Sequence, residues 1–224
     1  MPIRDYPAYI ASAAEDAGGD KLFAPSAERN AGPIGDLLVR IAPHRGRALE
    51  LAAGTGQHSV AFAARLPGLL WQPTEVQPDR IRSVNARIAE AGIPNIAPAL
   101  SLDALSPGWG ATQAPRDFIM VANLLHLVST FEVETLVTEA AQALAPGGRF
   151  LIYGPFMRSG VLTSDGDRSF HATLQTRDPE TGYKDDLQIA DWLAASGLAL
   201  LETVEMPANN LAFVTERPAL EIGI

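Results

Sequence analysis

Residues 47–60, RALELAAGTGQHSV, constrain the fold more than any other part of the chain. ALELA at 48–52 reads as a buried strand, Gly54-Thr55-Gly56 as a turn, and the following residues as the start of a helix. Glycine at 54 and 56 permits positive φ and lets a ligand reach the backbone without meeting a Cβ. The helix behind the turn aims unpaired N–H groups at whatever lies above it. Strand, glycine turn and helix together predict a nucleotide-binding crevice at the carboxyl edge of a parallel sheet. The same three glycine-turn residues also serve as a plain strand-to-helix connection, so the turn needs support from elsewhere in the chain.

That support comes from the order of elements. Ile34, Leu37, Leu38 and Ile41 lie at helical spacing and end at Pro43, with the polar group Glu28-Arg29-Asn30 just before them. After the turn, Val60, Ala61, Ala64 and Leu66 suit a helix stopped by Pro67-Gly68. A second strand over 69–75 ends in Glu75, and a helix opening at Pro78 carries Ile81, Val84, Ile88 and Ala91. A third strand over 96–102 delivers Asp103, a fourth over 118–122 is followed by Asn123 and His126, and a fifth spans 149–153. Residues 154–184 read as polar and irregular, with a short helix near 170–176. A helix capped by Asp185 and Asp186 and two closing strands, 198–205 and 211–217, complete the pattern. It predicts a doubly wound α/β architecture with a seven-stranded sheet whose last strand is antiparallel, in one domain over 1–224. Residues 1–42 form an amino-terminal flap and helix, and 154–184 an insert; both are free to cover a ligand.

Composition narrows the functions. The formal charge of −9, from 17 basic and 26 acidic residues, repels phosphate backbones and argues against nucleic acid as a partner. Without cysteine there is no disulfide, thiolate nucleophile or cysteine-based metal site. The four histidines, His44, His58, His126 and His171, show no paired-ligand spacing, so no metal is expected. The first residues lack the basic and apolar regions of a signal peptide, and no apolar run is long enough to span a bilayer. A cytoplasmic protein without membrane association, monomeric or homodimeric, is the expectation.

Position 59 is Ser where a dinucleotide fingerprint wants a third glycine, which weighs against a dehydrogenase. Glu50 before the turn, Glu75 after strand two and Asp103 after strand three form a different set, one that resembles the class I S-adenosylmethionine-dependent methyltransferases. The resemblance implies S-adenosylmethionine as cofactor, with the turn near its amino-acid part, Glu75 on both ribose hydroxyls and Asp103 on the adenine amine. A carboxylate suits a vicinal diol, because each charge-assisted bond contributes about 1.5–3 kcal/mol. The segment 144–150, LAPGGRF, also looks like that superfamily's entry into strand five.

A closer likeness covers nearly the whole chain. Glu28-Arg29-Asn30, the segment 54–58, Trp71-Gln72-Pro73, His126, Tyr153-Gly154-Pro155, Phe170, Arg177-Asp178-Pro179 and the segment 207–210 resemble the methyltransferase-like 26 family. Departures cluster on the acceptor side. Asp167 and His171 stand where that family has Asn and Asp, Ser129-Thr130 where it has Pro-Trp, and Glu75 replaces an Asp. The resemblance implies a cofactor set of Glu28, Asn30, Glu50, Ala52, Gly54, Thr55, Gly56, His58, Glu75, Asp103 and Asn123. His126, His171 and Tyr153 are the catalytic candidates, and a small molecule is the expected acceptor. Methyl transfer by in-line displacement draws mainly on positioning, with His126 as base if the acceptor must lose a proton. A non-catalytic cofactor-binding protein on the same fold and an NAD-dependent oxidoreductase are the alternatives.

Overall fold

The computed structural model describes residues 14–219. Strands β1 (Gly46–Leu51), β2 (Leu69–Glu75), β3 (Leu100–Ser101), β4 (Arg116–Ala122), β5 (Leu144–Met157), β6 (Ala199–Met206) and β7 (Asn210–Glu216) make one sheet. Their spatial order is β3-β2-β1-β4-β5-β7-β6. The pairs β1–β2, β1–β4, β2–β3 and β4–β5 are parallel, and β7 runs antiparallel to both β5 and β6. This is the expected sheet, with two additions. Lys184–Asp185 pairs with the end of β5, and a separate short hairpin joins Glu15–Asp16 to Leu22–Phe23.

Helices α1 (Pro25–Ile41), α2 (Gln57–Arg65) and α3 (Pro78–Ala91) pack on one face; α4 (Trp109–Gln113), α5 (Thr130–Ala143) and α7 (Asp186–Ala195) pack on the other. Side chains alternate along each strand, so both faces must be apolar to be covered. Leu49, Leu51, Ile119, Val121, Phe150 and Ile152 feed the core under α5, while Ala48, Phe118, Met120 and Leu151 feed the core under α1 and α2. Between α6 (Asp165–Arg177) and α7, the chain returns through Tyr183 and Lys184.

The differences from expectation have local causes. Helix α1 begins at Pro25, so Glu28, Arg29 and Asn30 lie inside it rather than before it. Proline suits the first helical position because its missing N–H has no partner there. Pro33, inside the helix, cannot donate to the Arg29 carbonyl, so the pattern before Ile34 looks interrupted in sequence. Strand β3 is two residues long, not seven. Pro98 cannot donate to the ladder, and only an isolated bridge between Trp71 and Ile96 precedes it. Strand β5 is far longer than 149–153, because β4, β7 and Lys184–Asp185 pair with different parts of it. Ser129 caps α5, accepting from the Glu132 N–H while Glu132 reaches back to the Ser129 N–H. The insert holds a full helix, α6, capped by Ser164.

Candidate active site

The sheet order reverses between β1 and β4, and the carboxyl ends of β1, β2 and β4 open there into a crevice. Left-handed backbone occurs at this edge. Ala52 and Asn123, each just past a strand, have φ of 51° and 56°, and Gly54 and Gly56 have 60° and 83°. The two glycines do different jobs. A Cβ on Gly56 would sit 2.7 Å from the Val84 Cα, so this glycine lets α3 pack against the turn. A Cβ on Gly54 would meet only Arg80 Nη1, at 3.3 Å, and the Ala52 carbonyl, at 4.0 Å; its open side faces the crevice.

Glu75 holds the turn to β2. Its Oε2 accepts from the Gly54 N–H (2.9 Å), and its Oε1 accepts from the Val76 and Gln77 N–H groups (2.7 and 3.2 Å). Asp103 closes its own loop by accepting from the Leu105 N–H (3.0 Å) and the Ser106 hydroxyl (2.7 Å). Leu102, Ala104, Leu105, Val76 and Leu127 give the crevice apolar walls between these acids.

Helix α3 presents an unexpected face. Of the expected stripe Val84 is buried and Ile88 packs half-buried on the core, but Arg80 and Ser83 are buried as well, and Ala91 is exposed. Ser83 Oγ and Arg87 Nε both donate to the Thr55 carbonyl (2.9 and 3.0 Å), and Ser83 Oγ accepts from the Leu22 N–H (2.8 Å). Gln57 Oε1 accepts from the Ala24 N–H (2.7 Å) and the Thr55 hydroxyl (2.9 Å). The start of α1 is thus fastened over the glycine turn. Sequence reasoning missed Gln57, Arg80, Ser83 and Arg87. The spacing of 80, 83, 84 and 87 on one helical face was the signal available.

The crevice is a narrow arm of about 130 Å³ that opens into a chamber of about 960 Å³; Ser26, Gln77, Arg80, Asn123 and Leu127 line both. Together they provide the room of a small-molecule site. Ala52, Gly54, Thr55, His58, Glu75, Asp103 and Asn123 line the arm; Asn30, Asn123, His126 and Tyr153 line the chamber. Helix α1 and the 154–184 insert, through Phe170, Leu174, Arg177 and Tyr183, form chamber walls. Residues 1–13 of the expected flap lie outside the described residues.

Other expected site residues lie elsewhere. Glu50 is buried under the sheet face and accepts from Trp71 Nε1 (2.8 Å); it lines neither space. Burial raises its pKa to about 7, against the lowering effect of the Trp71 bond. An acid before the turn therefore belongs to the core, since residue 50 points to the face covered by α1 and α2. Glu28 is exposed, accepts from Gln57 Nε2 (3.2 Å), and stands outside the lining. Gly56 acts through packing, not by lining. His171 faces a different surface hollow: its Nδ1 accepts from the Tyr183 N–H (3.0 Å) and anchors the loop before Lys184. Asp167 accepts from Thr163, Ser164, Tyr183 and Asn209 side chains, joining the insert to the β6–β7 turn.

His58 Nε2 lies 2.6 Å from Asn30 Oδ1, its ring stacks on Phe62, and the Asn30 side chain also bonds Tyr153. Burial lowers the His58 pKa to about 4. His126 packs 5.6 Å from Phe170 and 6.3 Å from Tyr183, ring centre to ring centre. Burial, with the nearby Lys184 charge, lowers its pKa to about 3. Lys184 itself donates to the Val128 and Gly182 carbonyls, and burial lowers it to about 8. Both His58, in the arm, and His126, in the chamber, are therefore neutral near pH 7.

Residues 21–217 match the family described as "Protein of unknown function (DUF938)". Among solved structures, an O-methyltransferase family protein from Burkholderia thailandensis superposes with a TM-score of 0.74 at 18% identity, over 88% of this chain and 58% of that one. An O-methyltransferase family 2 protein from Planctomyces limnophilus, in complex with apigenin, gives 0.71 at 18%, over 85% and 59%. A methyltransferase of calicheamicin biosynthesis in its SAH-bound form gives 0.67 at 16%, over 87% and 54%. The chain spans little more than half the length of these structures, and at such identities the likeness establishes the fold: a Rossmann-like methyltransferase sheet.

Proposed function

The chain belongs to the DUF938 family, whose function is unknown, and we propose that it is an S-adenosylmethionine-dependent methyltransferase acting on a small molecule. One observation carries the proposal. The arm that holds the glycine turn, Glu75 and Asp103 opens, past Asn123, into a chamber lined by His126 and Tyr153. A cofactor crevice and an acceptor space thus adjoin along a shared border that includes Asn123. The methyltransferase-like fold of the neighbours supports the reading, and so does the SAH-bound neighbour. The narrower likeness to the methyltransferase-like 26 family gains support from the way its motif residues Asn30, His126, Tyr153, Phe170 and Arg177 share the chamber.

The residues present fit the cofactor. Gly54 leaves its open side toward the arm, so backbone can lie against an amino-acid moiety. A carboxylate has about four acceptor positions. Three backbone donors use those of Glu75, leaving it one outright for a ribose hydroxyl rather than the two expected. Asp103 keeps acceptor capacity for an amine, with Leu102, Ala104 and Leu105 as apolar neighbours for a flat ring. When bound, S-adenosylmethionine supplies an activated methyl group and a thioether leaving group.

The chain's own contribution is mainly geometric. Aligning an acceptor with a reacting centre contributes up to roughly 7–11 kcal/mol in favourable cases. A base with a pKa of about 3 is a weak proton acceptor near pH 7. His126 therefore acts as a neutral hydrogen-bond acceptor that orients the acceptor group, and a strong general base is not the main source of rate. Tyr153, held by Asn30 of α1, fixes the chamber wall beside that helix. Apolar and aromatic walls from α6 and the following loop keep water from the reacting face.

Calorimetry with S-adenosylmethionine, S-adenosylhomocysteine and NAD tests the cofactor, and methyl transfer to a metabolite extract tests the activity. Binding of the first two but not NAD is expected. Binding of NAD alone would return the chain to the oxidoreductase alternative; cofactor binding without transfer would make it a non-catalytic binder.

A further inference from the structure

The chamber's charge is opposite to the protein's. The chain carries a formal charge of −9, yet among the described residues Arg29, Arg80 and Arg177 line the chamber against one acid, Asp79. Several arginines elsewhere on the surface are matched to carboxylates: Arg40 to Glu202, Arg65 to Asp36, Arg149 to Glu216 and Arg158 to Glu205. Arg29 and Arg177 have no such partner among the described residues, although acids outnumber bases in the chain. They come from separate elements, the second turn of α1 and the last turn of α6, and converge on one space. Neither position is required by packing, because both residues are exposed.

We infer that the methyl acceptor carries an oxyanion, a carboxylate or a phosphate, gripped by Arg29 and Arg177 while its apolar body lies against Phe170, Tyr183 and Tyr153. Guanidinium groups match planar oxyanions with paired N–H donors and stack on aromatic faces, which lysine does not do as well. The grip lies in the chamber and not in the arm, so it positions the acceptor without touching the cofactor crevice. Only the identity of the bound molecule as a methyl acceptor rests on the methyltransferase reading. The oxyanion site itself is a property of the chamber.

The test uses the full chain, with and without saturating S-adenosylhomocysteine, titrated with phenylacetate, phenyl phosphate, phenylacetamide and phenethylamine. At least one of the two anions is expected to bind about tenfold or more tightly than the neutral amide and the cationic amine, and which one prefers the site separates carboxylate from phosphate. Arg29→Ala and Arg177→Ala should each remove most of that preference, about tenfold per lost charged bond. Arg177→Lys should restore it in part, and S-adenosylhomocysteine affinity should stay the same in all three variants. Equal binding of anion and amide, no binding of either anion at millimolar concentration, or a preference that survives both alanine variants would overturn the inference. Failure of S-adenosylhomocysteine to bind would instead count against the methyltransferase reading, while the anion titration of the protein alone still decides the oxyanion site.

Discussion

Replacing Glu75 by glutamine separates two roles that one carboxylate performs. In the native protein, one oxygen takes the Val76 and Gln77 N–H groups and the other takes the Gly54 N–H. Glutamine keeps a single acceptor oxygen. If that oxygen stays on Val76 and Gln77, the amide nitrogen faces the Gly54 N–H, donor against donor. The residue is 5% exposed, so water compensates little. Leaving one buried donor unsatisfied costs about 1–3 kcal/mol. For a chain of this size each kcal/mol moves the melting temperature by about 2–4 °C. Glu75→Gln should therefore melt several degrees lower in calorimetry or urea unfolding. It should also bind S-adenosylhomocysteine at least about tenfold more weakly, because the remaining acceptor position loses its charge. A variant with native stability would refute the clamp on the turn. A destabilised variant with native affinity would refute the assignment of Glu75 to the cofactor.

Gly56→Ala should destabilise the fold by more than the roughly 1–2 kcal/mol of a left-handed residue, since its Cβ also meets α3, whereas Gly54→Ala should fold and lose cofactor affinity. Thermal melts paired with calorimetry check the contrast, and equal stability losses at both positions would contradict it. Glu50, raised from 4.5 to about 7, contributes stability that is present below about pH 4.5 and is lost as pH rises through 7. Glu50→Gln should accordingly be more stable than the native chain at about pH 8, on the order of 1–3 kcal/mol, with no such gain at acid pH; urea unfolding at the two pH values reads this out. His126 and His58, lowered from 6.5 to about 3 and 4, contribute stability present above about 6.5 and lost as pH falls toward those values. Nitrogen-15 NMR should find both rings neutral down to about pH 5; an imidazolium at His126 near neutrality would revive it as a strong base.

The sequence alone determined the sheet, because strand alternation and helical spacing are local patterns that report which face is covered. Gly54, Glu75 and Asp103 were legible for a similar reason: each lies at or just past a strand end, and strand ends of a parallel sheet share one edge whatever packs around them. Facing is not legible in this way. Glu50 looked like a cofactor acid, but its place in the pleat turns it toward Trp71 and the core. His126 and His171 were both catalytic candidates in the sequence, with His126 the candidate base. Only the return of the chain from α6 through Tyr183 puts one on the chamber and uses the other as a loop anchor. The placing of Arg29 and Arg177 on one chamber, and the α3 face that binds the Thr55 carbonyl, were decided in the same way. These relations join segments far apart in the chain and are fixed by how helices dock on a finished sheet, so a local pattern can mark a face but not its partner.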